Sequence, residues 1–226
     1  MEIKTEIITW PNGKLRSRTR YYIDSSGEKK CHGLLESWYE NGQKAGEKSW
    51  RHGEDYGTFI VWRQDGTVSA IGEFKGFLKH HGIQKNWYRN CQLQNELYFE
   101  NGKIKEGISY SSTGEEVTRI KDGNGIYFSY HENGKVCGEF DHKDSQEIKV
   151  TTWYDNGQMA QESFYGDNGL LQVSVTFDPN GNKVGEVIKG NGKISQYNLQ
   201  EPYGHLPFLV ISYENGKKQF PPEINL

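Results

Sequence analysis

The sequence predicts an all-β chain built as a repeated meander of antiparallel hairpins, and three observations carry that prediction. The first is composition: the 226 residues include 27 Gly, 10 Phe, 14 Tyr and 6 Trp but only 3 Ala and 2 Met. Ala, Leu and Met are the best helix formers and Gly among the worst. Aromatic residues separated by glycine instead suit pleated, half-buried strands joined by tight turns. The second is a succession of Asn-Gly and Asp-Gly dipeptides, the strongest short-range hairpin signal. The third is the spacing of the turns, whose last residues lie 24, 25, 43, 23 and 24 residues apart with a degraded copy inside the long interval, in the range of repeat architectures.

A net charge of −3 leaves no strong basic footprint, so direct contact with nucleic acid is not expected. A mean hydropathy of −0.86 is low, yet disordered chains are also short of aromatic residues and highly charged, and this chain is neither. Its first ten residues lack a basic stretch followed by an apolar one, and no apolar run approaches the roughly 18 residues that span a bilayer. A cytoplasmic location without membrane association is therefore expected. Cys31, Cys91 and Cys137 are odd in number and far apart, which fits reduced thiols rather than a disulfide framework or a zinc site.

Taken in order, residues 1–30 read as N-terminal strands or a degenerate repeat, with turns at Asn12-Gly13 and Ser26-Gly27. Residues 31–194 hold the repeats. Trp38-Tyr39-Glu40-Asn41-Gly42, Trp62-Arg63-Gln64-Asp65-Gly66, Trp87-Tyr88-Arg89-Asn90-Cys91, Tyr130-His131-Glu132-Asn133-Gly134, Trp153-Tyr154-Asp155-Asn156-Gly157 and Phe177-Asp178-Pro179-Asn180-Gly181 align without gaps, and Tyr110-Ser111-Ser112-Thr113-Gly114 is a degraded copy. Each Asn-Gly predicts a type I′ hairpin tip, where φ is positive at both central residues. Intermediate turns are expected at His52-Gly53, Asn101-Gly102, Asp122-Gly123, Asn168-Gly169 and Asn191-Gly192. A second set, Gly33, Gly57, Gly82 and Gly125, precedes the aromatic by five residues and predicts bulges or close backbone approach. Residues 195–226 depart from the repeat, carry four of the six prolines and read as a cap on the last sheet edge.

These residues resemble the MORN repeat, in the variant found in bacterial proteins classed as YwqK-like antitoxins. The resemblance spans about residues 30–190, with a weaker copy at Tyr213-Glu214-Asn215-Gly216; it departs at Cys91, where glycine is expected. It implies an elongated, twisted open sheet and the function of an immunity protein that neutralises a cognate polymorphic toxin by direct binding. A MORN-type scaffold or lipid-associated protein and a carbohydrate-binding array are the alternatives.

Side chains alternate across a strand, so each repeat strand has two faces. The set Thr58, Ile60, Trp62; Ile83, Lys85, Trp87; Ile126, Phe128, Tyr130; Val173, Val175, Phe177 is mostly apolar and is expected to be the packed face. The set containing Phe59, Val61, Arg63; Gln84, Asn86, Tyr88; Tyr127, Ser129, His131; Val150, Thr152, Tyr154; Ser174, Thr176, Asp178 is mixed and is expected to face water. Tyr39, Arg63, Tyr88, His131 and Tyr154 recur in one place on that second face. They are the expected partner-binding residues, because Tyr and Arg are common interface anchors. Glu47, Glu139, Glu162 and Glu186 are expected to line a solvated edge; as a negative ladder they would also suit a basic, nuclease-like toxin. No nucleophile elbow, phosphate loop or metal-ligand spacing is present in the sequence. An enzyme, a cofactor or a bound metal is therefore not expected.

Overall fold

The computed structural model describes residues 2–76, 79–197, 199, 209–219 and 223–224. All regular structure among them is β, and the chain divides into two compact units, Met1–Lys105 with Tyr110–Glu115 and Glu106–Ser109 with Glu116–Leu226. The first unit holds β1 (Lys4–Thr9), β2 (Leu15–Ile23), β3 (Lys29–Trp38), β4 (Lys44–Arg51), β5 (Glu54–Trp62), β6 (Val68–Lys75), β7 (His80–Trp87) and β8 (Leu93–Glu100), each antiparallel to the next. The chain passes from one unit to the other in β9 (Lys103–Tyr110). The second unit continues the same meander through β10 (Glu116–Lys121), β11 (Asn124–Tyr130), β12 (Val136–Lys143), β13 (Gln146–Trp153), β14 (Met159–Tyr165), β15 (Leu171–Phe177), β16 (Lys183–Ile188) and β17 (Asn191–Gln196). From the segment read as a cap, β18 (Leu209–Glu214) pairs with β17, and the short β19 (Lys217–Lys218) and β20 (Glu223–Ile224) pair with β18. Ile211 of β18 closes a core of Leu171, Val187 and Ile194. Residues 198, 200–208, 220–222 and 225–226 of that segment lie outside the described residues.

The turns fall into two kinds, which corrects the single type expected. At the main turns the backbone closes over four residues, as in Gly42 N–H to Tyr39 O (2.8 Å) and Tyr39 N–H to Gln43 O (2.8 Å). Positive φ falls on the glycine, +93° at Gly42 and +92° at Gly157, and the ladder slips by one residue there. That is a type I turn followed by a glycine bulge, not a two-residue I′ turn. True I′ geometry, with φ positive at both residues, occurs at the intermediate turns His52-Gly53, Asn101-Gly102, Asp122-Gly123, Asp144-Ser145, Lys189-Gly190 and Asn215-Gly216. The expected turn at Asn191-Gly192 therefore lies two residues earlier. The expected turn at Asn168-Gly169 is of the first kind, closed by Gly169 N–H to Gly166 O (2.8 Å). The upstream glycines behave as predicted: Gly33, Gly57 and Gly82 have positive φ and sit where the pairing register shifts.

Cys91 keeps the turn that its missing glycine put in question. It holds φ +64° in the glycine position, and its N–H reaches Tyr88 O at 3.0 Å. A non-glycine residue there costs about 1–2 kcal/mol, while glycine loses more chain entropy on folding. Cys91→Gly is therefore expected to stabilise the protein by about 0.5–1 kcal/mol, read as a higher denaturation midpoint.

The two faces are the reverse of those expected. The buried face carries the mixed set: Ser163 and Ser174 are fully buried and hydrogen-bonded to each other at 2.8 Å, Thr176 is 1% exposed, and Val187 is fully buried. Ile83, Val173 and Ile188, from the outer rows, are 52%, 43% and 55% exposed. Size decides this more than hydropathy. Glycines recur on the inner face because there is no room for more. A Cβ at Gly185 would lie 2.5 Å from Thr176 Oγ1, and one at Gly138 would lie 2.6 Å from Ser129 Oγ. The glutamate after each of these positions, whether glycine or, at Gln161, glutamine, points to the outer face. There Glu47 meets Lys44 at 2.6 Å, Glu162 meets Lys149 at 2.8 Å, and Glu186 pairs with Lys183. These glutamates therefore lie within outer-face ladders and not along a sheet edge.

Candidate binding surface

The five residues expected to touch a partner form an internal ladder. Each opens its own turn through its backbone and sends its side chain to the neighbouring repeat. Tyr39 Oη donates to Trp62 O (2.7 Å), Arg63 Nη2 to Trp87 O (2.5 Å), Tyr88 Oη to Tyr110 O (2.8 Å), His131 Nε2 to Trp153 O (2.9 Å) and Tyr154 Oη to Phe177 O (2.7 Å). Trp10 Nε1 makes the leading rung, to Trp38 O at 3.0 Å. Tyr88, Arg63, His131 and Tyr154 are 4%, 9%, 2% and 1% exposed, and Tyr39 is half-buried. Burial, with Tyr197 and Asp178 nearby, pushes the Tyr154 hydroxyl well above its ordinary pKa, so it stays a donor. The reading of this column as an exposed row is corrected: a chain of donors aimed at backbone carbonyls satisfies groups that would otherwise be buried without partners.

The turn asparagines add a second ladder. Asn41 Oδ1 accepts from Gln43 N–H within its own turn (3.0 Å), and its Nδ2 donates to Gln64 O of the next turn (3.2 Å). Asn90 and Asn156 repeat the arrangement, to Ser112 O and Pro179 O, each at 3.0 Å. Along the opposite ends of the strands, Asn124 Oδ1 accepts from Asp144 N–H (3.0 Å) and Asn191 Oδ1 from Asn215 N–H (3.1 Å). The donor, Asn and Gly of the repeat are thus accounted for by contacts within and between repeats.

Two further inner-face features escaped the sequence reading. In the first unit, Lys48 Nζ lies 2.6 Å from the carboxylate of Asp55, which is 3% exposed, and sits over Trp50 and Phe74. Phe74 packs on His80, and His80 on Phe99. Burial pushes the His80 pKa down while Asp55 opposes it, which favours neutral imidazole in an aromatic stack. In the second unit, a cavity of about 190 Å³ is lined by Thr152, Tyr154, Gln161 and Tyr197 among others. Gln161 stands there where other repeats have Gly46, Gly138 or Gly185. Among the described residues, no group of three or more His, Cys, Asp or Glu could hold a metal ion.

The outer face of the second unit carries a row of exposed apolar side chains. Phe164, Val173 and Ile188 are directly opposite one another on three adjacent strands, β14, β15 and β16. They are 41%, 43% and 55% exposed. Lys149 lies over the Phe164 ring and pairs with Glu162, while Lys183 and Glu186 pair nearby. The three side chains thus form one apolar row across adjacent strands, rimmed by lysine–glutamate pairs. Val173 stands in the set that alternation marks as packed, and nothing local in the sequence links it to Phe164 or Ile188; the pairing register does.

Three segments of the chain match the family model described as MORN repeat variant, residues 32–52, 123–144 and 146–167. Each spans one hairpin, β3–β4, β11–β12 and β13–β14, with the intermediate turn beside it. MORN-variant repeats are therefore present in both units. No curated protein matches. Among solved structures, the TcdB2-TccC3-Cdc42 complex aligns at 16% identity over 93% of this chain, with a TM-score of 0.20. The Photorhabdus luminescens Tc holotoxin pore aligns at 10% identity over 92%, with a TM-score of 0.18. This chain spans 13% and 14% of those chains. TM-scores this low do not indicate a shared fold.

Proposed function

We propose that the chain is a non-catalytic binding protein that neutralises a cognate toxin in the cytoplasm by covering it, with the outer face of the second unit as the contact surface. The observation that carries the binding part is the in-register strip Phe164–Val173–Ile188, exposed on strands whose other side buries Ser163, Ser174 and Val187. The toxin as partner rests on the resemblance of the repeats to YwqK-like antitoxins. The repeat residues themselves are consumed by stacking. Specificity therefore falls to the outer positions, which vary from repeat to repeat without disturbing the ladders. Interfaces concentrate their energy in a few desolvated apolar anchors inside a polar rim, and the strip with its lysine–glutamate pairs has that form.

The test is co-expression with the product of the neighbouring reading frame, followed by affinity measurement and a growth assay. Val173→Lys is expected to weaken the complex at least about tenfold, the loss of one central anchor, while shifting stability by no more than about 1 kcal/mol at this exposed strand site. A complex of unchanged affinity would remove the strip from the interface. A folded protein with no complex and no rescue of growth would overturn the toxin reading.

A further inference from the structure

We propose that β1 is a self-complementary edge and pairs antiparallel with β1 of a second copy of the chain. Among the described residues, β1 pairs with β2 on one side only, and all six of its residues are exposed. Edge strands usually carry charge, proline or a bulge that discourages pairing. Here the strand's charges are Lys4 and Glu6, of opposite sign and two residues apart, Ile3, Ile7 and Ile8 are 43%, 61% and 46% exposed, and the irregularity in its pairing lies at the far end, between Ile8 and Thr9.

The order of residues selects one register. With a two-fold axis at Thr5, Lys4 of each copy stands opposite Glu6 of the other, and Ile3 opposite Ile7. Alternation then sorts the two kinds of contact by face. Ile3 and Ile7 of both copies gather around the Thr5 pair on the outer face, where Ile7 already lies opposite Arg18, while Ile8 falls on the inner face opposite Glu2. The two reciprocal Lys4–Glu6 pairs lie on the inner face, beside the existing contact of Glu6 with Lys29 at 2.8 Å. Moving the axis to Lys4 or Glu6 sets like charges against each other, and placing it between residues leaves Lys4 opposite an uncharged side chain. A C2 contact of this kind is closed, so it yields dimers and not fibres.

Sedimentation velocity on the full chain, over a concentration series reaching about 100 µM, a range in which modest edge pairing is populated, tests the proposal. The wild type is expected to show a monomer–dimer equilibrium. Lys4→Glu places like charges opposite each other twice and is expected to weaken the dimer about tenfold. Lys4→Glu/Glu6→Lys restores the opposite charges and is expected to recover most of the loss. Far-UV circular dichroism and thermal midpoints report whether each variant keeps its fold. A wild type that stays monomeric throughout, a dimer indifferent to Lys4→Glu, or a double variant no better than the single one would each overturn it.

Discussion

Replacing Gly192 with alanine is expected to lower the unfolding free energy by about 3 kcal/mol or more, combining a backbone penalty with a steric one. Gly192 holds φ +144°, and a Cβ there would lie 2.1 Å from Glu186 O. Because the obstacle is backbone, no rotamer change relieves it; the β16–β17 hairpin itself has to open. Gly125 is the same device about three repeats earlier, with φ +126° and a Cβ position 2.3 Å from Arg119 O. Both follow an I′ turn by two residues, and both are preceded by an asparagine that caps that turn, Asn124 and Asn191. Thermal denaturation of Gly192→Ala should show a midpoint lower by about 10 °C, with amide protection lost first in β16, β17 and β18. A midpoint within a degree or two of the wild type would mean that the hairpin is not held as described.

Truncating Tyr154 is the second large effect. Its ring is 1% exposed and its hydroxyl reaches Phe177 O at 2.7 Å. Tyr154→Ala removes the ring and its packing and is expected to cost about 3–5 kcal/mol. Tyr154→Phe keeps the ring but leaves the Phe177 carbonyl without that donor, and is expected to cost about 1–2 kcal/mol. Tyr39→Phe should cost less, because Tyr39 is half-buried and water can replace its hydroxyl at Trp62 O. The order Tyr154→Ala, Tyr154→Phe, Tyr39→Phe in urea denaturation is what an inter-repeat ladder requires. A surface anchor would give three small losses of stability.

The strand order and the hairpin spacing were legible because turn chemistry is local: glycine supplies the left-handed conformation wherever a turn needs it, and the aromatic residues keep step with the turns. The turn type was less legible. Asn41-Gly42 and Asn101-Gly102 share a dipeptide, yet one makes a type I turn with a bulge and the other a I′ turn. The pairing register around them decides, and that is a property of two strands together. The inner face was misjudged because hydropathy was read without size. Ile60, Phe128 and Val173 are more apolar than Ser163, Ser174 and Gly185, but strands packed this closely admit only small side chains at many inner positions. The ladder residues are visible in the sequence as a column, but their burial is not. Tyr, Arg and His have little in common except a long side chain ending in a donor, and a donor recurring at the repeat spacing points to the next repeat's backbone. Of the outer strip only Val173 falls in the set that alternation marks as packed, and Phe164 and Ile188 lie on the strands between the aligned turns, outside both sets.

The most direct test of the central claim, that the ladders hold the repeats together while the outer strip makes the contact, is a side-by-side titration of the neighbouring reading frame's product with Val173→Lys and Tyr154→Phe, each checked for folding. The account predicts that Val173→Lys loses affinity at unchanged stability, whereas folded Tyr154→Phe binds like the wild type despite its lower midpoint. Weakened binding by Tyr154→Phe with full affinity in Val173→Lys would contradict it and return the buried column to the interface.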